Sequence, residues 1–161
     1  MPTLVQQTDV PSTIWPFTRM GNPDYVDVFT AEIPRGIEAT PEEWARAALE
    51  DAAGLGGQLL WRAALGLRLR RSPSNIGGWT IADRGAEWIR LEASSWFMNA
   101  HVVIHADDEQ LTVGTFVRYD RRIAAFVWGA ASVLHRRAAP YLVRDALRRV
   151  ERRRREVGDH R

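Results

Sequence analysis

The chain contains no cysteine and no lysine. The first absence excludes disulfides, thiolate nucleophiles and cysteine-based zinc sites. The second leaves all 22 basic residues as arginine, which reads as a compositional bias rather than a demand for bidentate recognition. No stretch approaches ~18 consecutive apolar residues, so a membrane span is not signalled. The N-terminus lacks a basic region leading into an apolar run and a cleavage site, and a cytoplasmic location is the expectation. A glycine-rich phosphate loop, an HExxH motif, a Ser-His-Asp order and paired carboxylates are missing too. Neither a cofactor nor a metal is therefore expected.

What is present is globular composition. Apolar residues make up 45% of the 161, charged residues 26%, and there are seven Trp, too much apolar surface for a disordered chain. This length suits one domain burying roughly two-thirds of its unfolded surface. The charge is polarised: positions 1 to 135 hold 12 Arg against 16 acids, a balance of −4, and positions 136 to 161 hold 10 Arg against 4, a balance of +6. Arg148, Arg149 and Arg152 to Arg155, interrupted by Glu151 and followed by Glu156, read first as a solvated helix end with cations placed favourably for the dipole. Nucleic acid is disfavoured, because interleaved aromatics, a helix-turn-helix pattern and a basic groove are absent. Contact with an anionic membrane or protein stays open.

Three segments divide the chain. Positions 1 to 23, with Pro11, Pro16 and Pro23 around Trp15 and Phe17, show no period and predict an extended arm lying against the domain. Positions 24 to 150 form the domain proper, and 151 to 161 an Arg-rich tail. Within the domain, alternation over Asp24 to Ile33 predicts a strand stopped by Pro34 and Gly36. Thr40-Pro41-Glu42-Glu43 is a capping box opening a helix, broken by Gly54, Gly56 and Gly57. A second short helix follows over Leu59 to Leu67, ending in Arg68, Arg70 and Arg71, then a loop over positions 71 to 75. Period two then predicts strands over Trp79 to Asp83, Ala86 to Ser94, Phe97 to Ala106 and Gln110 to Tyr119. Beyond Asp120 the pattern is helical to about Val157, with a kink or break at Pro140. The class is α+β, in the order β, αα, ββββ, α.

Asp24-Tyr25-Val26-Asp27-Val28-Phe29, Trp44-Ala45-Arg46-Ala47, Phe116-Val117-Arg118-Tyr119 and Leu134-His135-Arg136, in that order and spacing, resemble an uncharacterised bacterial family. It is a domain of unknown function in the START-like, polyketide-cyclase-like (SRPBCC) helix-grip superfamily. The resemblance covers positions 24 to 150. It implies a curved antiparallel sheet gripping the C-terminal helix, with a hydrophobic pocket between them and two short helices closing one end. Members of the superfamily bind lipids, sterols and polyketides, and some are cofactor-free cyclases or dehydratases. Where the family pattern has an Asn, a Gly-Arg and a Tyr at the turn into the last helix, this chain has Arg121, Ala124-Ala125 and Val127, a more apolar set.

Strand faces supply the candidate lining. Met98, Ala100, Val102 and Ile104 share a face opposite Asn99, His101, Val103 and His105. His101 and His105 stand about 13 Å apart at strand spacing, too far to share a metal, and read as exposed. Val113, Thr115 and Val117 share the apolar face of the next strand with Leu111, and Ile89 and Leu91 that of an earlier one, opposite Trp88 and a solvated Arg90 and Glu92. Trp88 suggests cover by the arm or by a second subunit, so a homodimer is a candidate. On the last helix Ile123, Phe126, Val127, Ala130, Ala131, Val133 and Leu134 predict a broad buried face, with Trp128 and Tyr141 as aromatic lining.

The expected function is binding of a hydrophobic small molecule, polyketide-like or lipid-like, with Ile89, Leu91, Met98, Ala100, Val102, Ile104, Val113, Val117 and Trp128 as its wall. If the protein is catalytic, as a cofactor-independent cyclase or isomerase, Thr115, His135 and Tyr141 orient a carbonyl or move a proton. The alternatives are a non-catalytic carrier or sensor, and an interaction module working through the basic helix.

Overall fold

The structure, a computed structural model, describes residues 4–7 as backbone and residues 10–158 in full. The ends of the arm and tail, residues 1–3, 8–9 and 159–161, lie outside the description. The fold is α+β. A seven-stranded antiparallel sheet runs in the order β1 (Leu4–Gln7), β2 (Tyr25–Glu32), β7 (Gln110–Tyr119), β6 (Met98–Ala106), β5 (Trp88–Ser94), β4 (Trp79–Arg84) and β3 (Asn75–Ile76). The final helix, α4, runs over Arg122–Gly158.

Strands β4 to β7 form the meander that alternation predicts, within a residue or two at their ends. The two edges do not follow the expectation. Residues 4–7 pair with β2, and Asn75–Ile76 with β4, so segments read as arm and loop extend the sheet. Both are short, and their pairing comes from neighbouring strands rather than from any period of their own.

The arm is not extended throughout. Trp15–Thr18 make a short helix, α1, lying on the face of the sheet away from α4. Ile14, Met20, Val28, Val103 and Phe116 form a buried cluster there. Gly114 makes room for it: a Cβ at this position would stand 2.9 Å from Ile14 Cδ1. Phe17 stacks on Trp88 at 4.6 Å between centroids and 15° between planes, a contact contributing about 1 kcal/mol beyond its buried area. The arm thus covers Trp88. It also removes Arg90 from solvent, 7% exposed and donating to the Phe17 carbonyl and to Glu92. Both His101 and His105 are half-buried beneath it, so the reading of these three as exposed is corrected.

On the opposite face lie two helices. α2 (Pro41–Arg46) begins at the expected capping box: Glu43 N–H donates to the Thr40 hydroxyl and Thr40 N–H to the Glu43 carboxylate. It widens into a π-helical stretch over Ala47–Ala52. α3 (Gly54–Leu59) widens likewise over Leu60–Ala64. Of the three glycines, Gly54 alone breaks the chain, at φ +51. Gly57 sits inside α3, where a Cβ would be 2.7 Å from that of Ala53; it lets the turns close up. The following segment is not helical. Leu65, Leu67 and Leu69 are buried in alternation, and the N–H groups of Arg68 and Arg70 donate to the Ser94 and Gly78 carbonyls. Their cations therefore do not sit on a helix end.

α4 continues through Pro140 without a break. The residue one turn earlier, Arg136, is exposed, so a carbonyl deprived of its N–H partner there can be hydrated. Arg153 pairs with Asp51 and Arg154 with Glu43, tying the end of α4 to α2. Part of the Arg-rich end is therefore engaged by the domain, each exposed pair contributing about 0–1 kcal/mol.

Candidate functional site

Between the sheet, the α2–α3 pair and α4 lies a cavity of about 350 Å³. Its floor is Phe29 of β2, Trp79 of β4, Ala100 and Val102 of β6, and Val113 and Thr115 of β7. Ala48, Leu49, Leu60 and Trp61 come from the two π-helical stretches, and Trp128, Leu134, His135, Ala139 and Val143 from α4. Gly56 and Leu134 are lining residues that are also exposed, so the cavity meets solvent between α3 and α4. The small residues Ala53, Gly56, Gly57, Ala138 and Ala139 on the facing helices hold it open there.

Ala100, Val102, Val113, Thr115 and Trp128, expected on the inner side from the strand and helix patterns, line this cavity, and so does His135, which the sequence offers only as a candidate base. Ile89, Leu91, Met98, Ile104 and Val117 share the expected face and are buried, but they pack in the surrounding core and do not line the cavity. The helical pair fills the space over part of the sheet, and the remaining gap lies over β6 and β7. Tyr141 is 70% exposed and lies outside the cavity. Its helix presents Ala124, Trp128, Ala131, Ala139, Val143 and Ala146 to the core, and Tyr141 falls on the opposite side. For the same reason Ile123, Phe126, Val133 and Leu134, read as buried, are exposed.

One polar constellation stands behind the cavity wall and reaches it through Trp128 and His135. Asp27, 3% exposed, faces inward from β2 on the same side as Phe29. Its Oδ2 accepts a 2.7 Å hydrogen bond from the Tyr25 hydroxyl and lies 3.0 Å from His135 Nε2. The second contact is a close approach without the alignment of a hydrogen bond. Trp128 packs against both neighbours, edge-on to Tyr25 at 5.2 Å and tilted to His135 at 5.5 Å. Thr115 is the residue directly opposite Asp27 on β7, close enough for the two side chains to share a neighbour. Burial, then the Asp27 hydrogen bond and charge, push the Tyr25 hydroxyl pKa up. That phenol stays protonated and acts as a donor.

Asp27 was not legible as a site residue in the sequence. Its inward face was readable from the alternation of Tyr25, Asp27, Phe29 and Ala31, and a carboxylate on such a face was the available signal. Its partner His135 lies far along the chain, on a different element. Among the described residues, Asp27 Oδ1, His135 Nε2 and the buried indole N–H groups of Trp79 and Trp128 have no hydrogen-bond partner. Such groups cost about 1–3 kcal/mol each when unsatisfied, so a ligand oxygen that reached the indole N–H groups, or a ligand hydroxyl that donated to Asp27, would be held strongly. No group of three or more His, Cys, Asp or Glu suited to a metal occurs among the described residues.

The fold and site define an α+β protein whose antiparallel sheet and long C-terminal helix border an apolar cavity carrying one imidazole. No family profile matches the chain, and no curated protein matches it either. Among solved structures it is similar to the crystal structure of a conserved protein from Geobacillus kaustophilus, with 13% identity, a TM-score of 0.40, and coverage of 80% of this chain and 96% of that one.

Proposed function

We propose that this protein is a helix-grip domain of the START-like kind that binds a hydrophobic small molecule, polyketide-like or lipid-like, between its sheet and its last helix. The observation that carries this reading is the cavity itself. It has about 350 Å³ of space, within the range of small-molecule sites, and its wall is almost wholly apolar. Against such a wall a ligand gains about 25 cal/mol for each Å² of apolar surface removed from water. Thr115, His135 and the indole N–H groups supply a few polar points that orient one carbonyl or hydroxyl. Native mass spectrometry of the purified protein tests it. A co-purifying apolar compound, lost on solvent extraction, supports the reading; a ligand-free protein that takes up no apolar compound on incubation sinks it.

The His135–Asp27 contact favours a second reading on the same site, a cofactor-independent cyclase or isomerase. The carboxylate attracts the proton of Nε2 and leaves the lone pair on Nδ1 of the imidazole. A proton taken from carbon next to a ligand carbonyl rests on Nδ1 and returns to a different atom of the same ligand, so no external acceptor is needed. Turnover of a bound compound that stops in His135→Gln, with binding retained, supports catalysis. Unchanged ligand after prolonged incubation leaves the carrier or sensor.

A further inference from the structure

The solvent side of α4 carries an unusual pairing of residue types. At about 100° per residue, Arg122, Ile123, Phe126, Ala130, Val133, Leu134, Arg137, Tyr141, Arg144 and Arg148 fall within one arc of roughly a third of the helix circumference. This arc lies opposite the buried residues Ala124, Trp128, Ala139, Val143 and Ala146. Its large apolar members are open to solvent: Phe126 is 82% exposed, Tyr141 70% and Leu134 54%. On α3, whose Gly56 borders the cavity opening, Leu55 and Leu59 are exposed as well. Exposed apolar surface of this extent marks an interaction site rather than ordinary surface.

The charges on that arc decide what covers it. Four arginines of α4 are paired within the domain: Arg149 with Asp145, Arg153 with Asp51, Arg154 with Glu43 and Arg155 with Glu151. Among the described residues, Arg122, Arg137, Arg144 and Arg148 have no carboxylate within salt-bridge distance. The face is thus apolar and cationic at once. A second copy of this chain, docked through the same face, would bring more uncompensated arginine and no counter-charge. A nucleic acid would neutralise the arginines and leave Phe126, Val133 and Leu134 without apolar partners. An anionic bilayer supplies both, phosphate-bearing headgroups for the guanidinium groups and acyl chains for the aromatic and aliphatic side chains.

We infer that the outer face of α4 is a docking surface for anionic lipid membranes. The helix lies along the headgroup layer, with Phe126, Val133, Leu134 and Tyr141 inserted and Arg122, Arg137, Arg144 and Arg148 at the phosphates. Leu134 belongs to both the docking face and the cavity wall, so docking brings the opening of the cavity to the membrane.

Vesicle co-sedimentation of the full chain tests this, with vesicles of equimolar phosphatidylglycerol and phosphatidylcholine beside vesicles of phosphatidylcholine alone. Binding is expected to the anionic vesicles, at least tenfold weaker to the neutral ones and weaker in high salt. Phe126→Glu and the triple variant Arg137→Glu, Arg144→Glu, Arg148→Glu should each lower it more than tenfold. Circular dichroism checks that both variants remain folded, as expected for exposed positions. No binding to anionic vesicles, or binding that Phe126→Glu leaves intact, overturns the inference. A wild-type dimer in solution that Phe126→Glu converts to monomer also overturns it, and assigns the face to a second copy.

Discussion

His135 on the last helix and Asp27 on β2 approach to 3.0 Å at the wall of the apolar cavity. This contact joins the sheet to α4 through two ionisable groups in an otherwise apolar setting, and its energetics can be measured. His135→Ala leaves the buried Asp27 carboxylate with the Tyr25 hydroxyl as its hydrogen-bond donor, and we expect a loss of about 1–3 kcal/mol in unfolding free energy. Asp27→Asn keeps an acceptor for Tyr25 and removes the charge. In that background the cost of His135→Ala should shrink, because no buried charge remains to be orphaned. Chemical denaturation of the two single variants and the double variant measures the coupling; strictly additive losses would show that the contact carries no energy.

His101 gives a pH dependence with a definite sign. Burial beneath α1 lowers its pKa from the ordinary 6.5, against the attraction of Glu92 and the bond to the Thr18 carbonyl, and with Arg90 and Arg118 also lowering it. The unfolded chain therefore takes up a proton near pH 6.5 while the folded chain still resists it. The stability that neutral His101 contributes is present above that pH and is lost as the pH falls through the window below it. Denaturation midpoints between pH 7.5 and pH 5 should fall less steeply in His101→Gln than in the wild type. Identical slopes would remove His101 as the source.

The N-terminal arm should behave as part of the core. Ile14 is fully buried against Val28, Val103 and Phe116, and Ile14→Ala should cost about 2–5 kcal/mol. Phe126→Ala, by contrast, should lie within about 0.5 kcal/mol of the wild type, although it removes a larger side chain, because Phe126 is exposed. Comparable losses from the two would mean that the arm is loosely held or that the α4 face is covered.

These contrasts show which parts of the molecule could be read from sequence. The central strands were legible because one side packs on the helices: Met98, Ala100, Val102 and Ile104 all fall on the inner face, and Thr115 reaches the cavity as its alternation implies. The capping box at Thr40 and Glu43 was equally plain, since it is a local exchange of hydrogen bonds. Periodicity failed where both sides of an element carry apolar residues. On α4 the exposed Phe126, Val133 and Leu134 resemble a core stripe more than the buried Ala124, Ala131 and Ala139 do, and Tyr141 was drawn inward with them. Leu65, Leu67 and Leu69 did carry a period of two, masked by the helix ahead of them. Asp27 could be placed on a face, but only tertiary structure brings His135 to it.

Filling the cavity is the most direct test of a small-molecule site. A neutral apolar fluorophore, N-phenyl-1-naphthylamine, can be titrated into the wild type, Ala100→Leu and Val102→Phe, following probe emission and quenching of the tryptophans, three of which, Trp61, Trp79 and Trp128, line the cavity. The account predicts saturable one-to-one binding in the wild type and at least tenfold weaker binding in both variants. Their thermal stability should be equal or higher, since the added carbons occupy existing space at about 0.8 kcal/mol per buried methylene. Unchanged affinity in both filled variants, with the fold intact, would contradict it.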